Sequence, residues 1–112
     1  MSKIEIRPAT GTYSIRAGGA VLGETSRALE LVEDGHDPVI YVPREDLAMA
    51  FLDPSPTRTT CPHKGEASYF HISTGSGTIP DGGWSYETPK ADVAQIAGHI
   101  AFYPDKVTVE QT

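Results

Sequence analysis

The chain has one cysteine in 112 residues. A single thiol excludes an intramolecular disulfide, and it excludes zinc sites built from paired CxxC motifs. It suits a reducing compartment. No run approaches the ~18 apolar residues of a transmembrane span. The opening MSKIEIRPATGTYSI carries no apolar segment of signal-peptide length. The expectation is a soluble, cytoplasmic protein with no membrane partner. Positive charge is also scarce: Lys and Arg total 9 against 15 Asp and Glu, a formal net charge of −6. Such a body repels phosphate backbones, so no nucleic-acid partner is expected.

Turn formers are plentiful, with 11 Gly and 9 Pro. That density suits a β protein better than a helical one. The length allows one domain, residues 1–112, with no room for a second core. Ile4, Ile6, Tyr13, Ile15, Ala17 and Val21 fall in short alternating runs. Gly18-Gly19 divides two of these and predicts a tight hairpin. SRALELVEDG fits a helical face or an alternating strand equally well. PVIYVP, bounded by prolines, predicts a strand. Arg44–Leu52 predicts a short helix, with Glu45 and Asp46 at its N-terminal end.

Ala67–Ser73 predicts a strand with Tyr69 and His71 on one face and Ser68, Phe70 and Ile72 on the other. Gly75–Gly77 is a turn, and Trp84–Glu87 is another strand. Lys90–Ala97 allows one or two helical turns. Ile100–Tyr103 and Val107–Glu110, around Pro104-Asp105, predict a closing hairpin. About seven short strands with one or two short helices imply a mainly β sandwich or barrel.

Four blocks, YVPRED, TRTTCPHKGEASYF, GWSYETP and IAGHIAFYPDKV, resemble in order and spacing the bacterial DUF427 family, a domain of unknown function. The resemblance covers nearly the whole chain. It implies an Mss4-like, or β-tent, fold: two small antiparallel sheets meeting at an angle with a cleft between them. Methionine-R-sulfoxide reductase catalytic domains and several zinc-binding domains share that arrangement. Some members carry a nucleotidyltransferase-like label. Metal-dependent nucleotidyl transfer needs carboxylates on shared metals, and no Asp-x-Asp pair follows the short Gly75-Ser76-Gly77 turn.

The densest chemistry lies in Thr57–Phe70. Cys61 has Arg58, His63 and Lys64 close in sequence, and neighbouring cations activate a thiol. It is the candidate catalytic nucleophile, against the simpler reading of a small half-buried residue. His36, His63, His71, His99 and Cys61 have no H-x₃-H or C-x₂-C spacing, so no metal and no cofactor are expected. Trp84 and Tyr86 alternate with Ser85 and share a strand face. Tyr41, Tyr69 and Tyr103 are candidates to join them.

With Arg44, Arg58 and Lys64, these aromatics predict a cleft for a small anionic or planar ligand. Core packing and structural ion pairs, Arg44–Glu66 or Lys64–Glu87, are the competing reading. The acidic run ELVEDGHD reads as a solvated face. The alternative function is a protein-interaction module using an exposed strand edge such as VTVEQT. A monomer or weak homodimer is expected.

Overall fold

The computed structural model describes residues 3–112. Ten strands follow in chain order: β1 (Ile4–Pro8), β2 (Tyr13–Ala17), β3 (Ala20–Thr25), β4 (Leu29–Glu33), β5 (Val39–Tyr41), β6 (Leu52–Cys61), β7 (Gly65–Thr74), β8 (Gly77–Ser85), β9 (Ile100–Phe102) and β10 (Thr108–Gln111). They form three antiparallel sheets, ordered β1-β4-β5, β10-β2-β3 and β6-β7-β8-β9. The chain is mainly β, as its turn density predicts, but the strands divide among three sheets and not two.

The four-stranded sheet is the centre, and it is packed on both faces. Alternation along β7 sends Phe70 and Ile72 to one side, where they meet Ile15, Ala17 and Leu22 of β2 and β3. Ala67 and Tyr69 go to the other side, toward Leu31 of β4 and Tyr41 of β5. β9 divides the same way: Ile100 and Phe102 join the first core, Ala101 the second. A strand buried on both faces reads as a continuous apolar run, which accounts for the fully buried IAF of β9. Ile72 and Ile100 are 0% exposed, and each such side chain contributes ~1.5–3 kcal/mol on burial.

Local chemistry explains most elements. Gly18 and Gly19 both have positive φ, 54° and 78°, the geometry a two-residue primed hairpin turn demands. They join Ala17 to Ala20 as predicted. The ambiguous SRALELVEDG segment resolves as β4, because it is paired on both sides, with β1 and with β5. Ala91–Ile96 forms 3₁₀ turns, kinked at Val93. After β5, Val42 exchanges backbone hydrogen bonds with Ile100 at 2.8 and 2.9 Å, which ties the outer sheet to the central one.

Two expectations fail. Arg44–Leu52 is not one helix but two single 3₁₀ turns, Arg44–Asp46 and Met49–Phe51. The backbone between them is claimed by β3: Leu47 bridges Gly23, and Ala48 donates to the Leu22 carbonyl at 2.7 Å. Gly23 makes this approach possible, since a Cβ there would lie 2.2 Å from the Asp46 carbonyl oxygen. Asp46 does not cap a helix; its carboxylate accepts from Thr25 Oγ1 at 2.8 Å and Arg27 Nη2 at 2.9 Å.

The second failure is the closing hairpin. The Pro104-Asp105 turn forms, with Lys106 and Val107 amides both donating to the Tyr103 carbonyl. The two segments nevertheless pair elsewhere, β9 with β8 and β10 with β2. The turn carries the chain from one sheet to another.

Candidate functional site

The face of the central sheet that meets β4 and β5 carries an aromatic wall. Tyr69 of β7 lies directly opposite Trp84 of β8, and Trp84 opposite Ala101 of β9. The small alanine leaves room for the indole. Trp84 meets Tyr41 edge to face, centroids 6.5 Å apart at 89°, and its Nε1–H donates to Tyr41 Oη at 3.3 Å. Tyr103 lies against Trp84, centroids 4.6 Å apart at 47°. Its hydroxyl reaches Tyr69 Oη at 3.5 Å. Tyr69 also shares a 2.9 Å hydrogen bond with Thr59 Oγ1.

These side chains, with Tyr86, line a cleft of ≈ 290 Å³. Leu31 and Glu33 of β4, Val39 of β5 and the His36–Asp37 loop form its other wall. Four of the chain's 5 tyrosines and its 1 tryptophan are thus gathered here. Tyr41 and Tyr86 are buried, while Tyr69, Trp84 and Tyr103 are half-buried.

Lys64 closes the wall. It lies in the turn between β6 and β7, and its Nζ donates to Glu33 Oε1 at 3.2 Å. Both side chains are 13% exposed. The same ammonium stands 3.6 Å from Cys61 Sγ. The turn is held from below by Lys90, whose amide donates to the Lys64 carbonyl at 2.9 Å and whose Nζ donates to the Pro62 carbonyl at 2.6 Å.

Burial sets the tyrosine chemistry. It pushes the Tyr41 phenol well above its ordinary range and raises Tyr86 to about 12. Burial, then the hydrogen bond with Tyr69, raises Tyr103 to about 12. Desolvation disfavours the phenolate. These groups therefore remain neutral donors and π surfaces near pH 7, and none of the three is a ready base.

The sequence-predicted residues divide between the two faces of the sheet. Lys64, Trp84 and Tyr86 line the cleft, and Cys61 adjoins it through Lys64. Arg44 and Arg58 belong to the opposite face. Arg58 sits across from Ser68, which shares a face with Phe70, and its Nη1 donates to the Ser55 and Thr57 carbonyls at 2.8 Å each. Arg44 lies over the Phe70 ring, 5.5 Å from the centroid, and pairs with Glu87. Lys64 and Arg44 thus do form ion pairs, but Lys64 takes Glu33 and Arg44 takes Glu87.

Glu33, His36, Asp37, Leu31 and Val39 were not foreseen as lining residues. The signal was the alternation of Leu29, Leu31 and Glu33: once that run is a strand, Glu33 follows Leu31 to the same face. Glu33 is accordingly not part of a solvated strip, whereas Asp34, His36 and Asp37 are exposed. Among the described residues, no group of three or more His, Cys, Asp or Glu is placed to hold a metal ion. No helix among them is long and apolar enough to cross a membrane.

Fold and cleft together define a mainly β protein with an aromatic-walled cleft between two of its sheets. Residues 5–112 match the family described as a domain of unknown function, DUF427, and the chain belongs to that family. No curated protein matches it significantly.

Proposed function

We propose that this protein binds a small planar ligand in the cleft between β4–β5 and the Tyr69–Trp84 face of the central sheet. The observation that carries the reading is the convergence of Tyr41, Tyr69, Trp84, Tyr86 and Tyr103 on one cavity of ≈ 290 Å³. Ligand sites are concave, mostly aromatic or apolar, and carry a few convergent polar groups. Here those groups are the Lys64–Glu33 pair and the phenol hydroxyls. The volume is at the low end of the ~300–1,000 Å³ range, so the ligand is metabolite-sized.

The planar half of the sequence expectation fits this geometry better than the anionic half. Arg44 and Arg58 point to the other face, and Lys64 is already neutralised by Glu33. Covalent chemistry in this cleft would fall to Cys61, beside Lys64 at its edge.

A thermal-shift screen of planar metabolites tests the reading. A ligand at 100 times its Kd adds ~2.7 kcal/mol, roughly 10 °C or more for a domain of this size. Hits should vanish in Tyr69→Ala, a residue that lines the cleft and not the groove beside β10. Hits that survive Tyr69→Ala unchanged would move the site elsewhere.

One observation favours a second reading, a protein-interaction role. β10 is an edge strand, and beside it runs a groove of ≈ 380 Å³ lined by Ile40, Phe102, Val107 and Val109, and by Asp37, Val39 and Trp84, which it shares with the aromatic cleft. Charge introduced by Val109→Lys should abolish partner binding there and leave the aromatic cleft unaffected.

A further inference from the structure

We infer that the aromatic cleft takes a planar cation, such as an N-alkylated heteroaromatic ring, in preference to the neutral or anionic form of the same ring. This rests on the cleft being the binding site.

Besides the phenols, the ionisable groups lining the cleft are Glu33, Lys64, His36 and Asp37. The Lys64 ammonium is 3.2 Å from Glu33, so those two charges cancel for a ligand. With histidine counted as neutral, the Asp37 carboxylate remains. Among the described residues, no unpaired cation lines the cleft to meet an anion. The wall itself is electron-rich: aromatic faces attract cations through their quadrupole, and indole does so best. Trp84, Tyr69 and Tyr103 are half-buried, so each keeps accessible surface. Tyr103 already accepts one ammonium, with Lys106 Nζ 5.5 Å from its ring centroid. Lys106 does not line the cleft, and its charge is offset by the nearby Asp81 carboxylate, which it helps to hold ionised. The net charge of −6 draws cations toward the body as a whole.

The test uses one ring in three charge states: 1-methylnicotinamide (cation), nicotinamide (neutral) and nicotinate (anion). Binding is measured by calorimetry and located by the NMR resonance of the single indole Nε1–H of Trp84, with Tyr69→Ala as the control that lines the cleft alone. The cation should bind about ten-fold more tightly than nicotinamide, and nicotinate should bind most weakly. Asp37 is exposed, so Asp37→Asn should fold normally and reduce the cation's advantage several-fold. Nicotinate or nicotinamide binding as tightly as the cation, with the Trp84 resonance moving, would overturn the cation preference and leave the cleft reading standing. Failure of all three to bind, or binding that leaves the Trp84 resonance still, would overturn both.

Discussion

Lys64 and Glu33 are 31 positions apart in sequence, yet Nζ and Oε1 lie 3.2 Å apart with both side chains largely covered. The pair joins the β6–β7 turn to β4 of the outer sheet, and so holds the two walls of the cleft in register. Removing one partner leaves a half-buried charge without its counterion. Lys64→Ala should cost about 1–3 kcal/mol, between the values for exposed and fully buried pairs. Adding Glu33→Gln to it should recover part of that loss. Urea unfolding of both single variants and the double variant closes the cycle; strict additivity would show that the two charges do not couple.

Gly23 makes the second prediction. Gly23→Ala places a methyl 2.2 Å from a backbone oxygen that has no freedom to move away. β3 must then separate from Leu47, and the domain should lose more than about 2 kcal/mol, as for overpacked sites. Gly35→Ala meets nothing within 4 Å and carries only the penalty of its positive φ, 82°. That variant should lose about 1 kcal/mol. Urea midpoints for the two variants provide the comparison, and equal losses would contradict the close approach.

Acid sensitivity provides the third. Hydrogen bonds from Arg27 and then Thr25 hold the Asp46 carboxyl below the usual range. The nearby Ser55 hydroxyl, and then the 2.8 Å hydrogen bond from Thr57 Oγ1, do the same for Asp81. A carboxyl whose folded pKa is depressed stabilises the fold fully above its unfolded value of ~3.9. That contribution is lost as pH falls through the folded value. Stability should therefore drop as pH falls below roughly 4, and Asp46→Asn should flatten part of the drop. A urea midpoint independent of pH in that range would contradict the assignment.

Cys61 makes the fourth. Its thiol contacts Lys64, but the cleft is lined by other residues. Cys61→Ser should leave the affinity for a planar ligand within about two-fold, a change of roughly 0.4 kcal/mol. Loss of binding in calorimetry would place the sulfur inside the site. Loss of turnover with binding intact would identify it as the nucleophile.

Much of the architecture was legible in the sequence because it depends on local rules. Alternation in Ala67–Ser73 separates Tyr69 from Phe70, and the two residues do reach different cores. The paired glycines at 18 and 19 make the turn they predict. Trp84 and Tyr86 share a face because the alternation of β8, which ends at Ser85 and not at the predicted Glu87, carries one residue further.

What was not legible is long-range. Nothing near Leu47 indicates that Gly23, 24 positions earlier, will draw its backbone out of a helix. The Pro104-Asp105 turn looks like a hairpin because its flanks are apolar and β-branched. The choice of partner was made by Ile15 opposite Val109 and by Ala101 opposite Trp84. Arg44 and Arg58 looked like ligand-holding cations because spacing alone does not reveal the face. The register of Arg58 with Ser68 places it on the opposite side. Glu33 was hidden by its acidic neighbours until β4 was known to be a strand.

The most direct test of the cleft reading follows the Trp84 indole Nε1–H in the folded protein. Its resonance is unique, because the chain has 1 Trp. In the free protein this N–H donates a hydrogen bond to Tyr41 Oη. On titration with a planar compound that raises the melting temperature, the resonance should shift saturably with the same Kd that calorimetry gives. The shift should disappear in Tyr69→Ala. A stabilising compound that binds with measurable affinity while the Trp84 resonance stays fixed would contradict the cleft as the binding site.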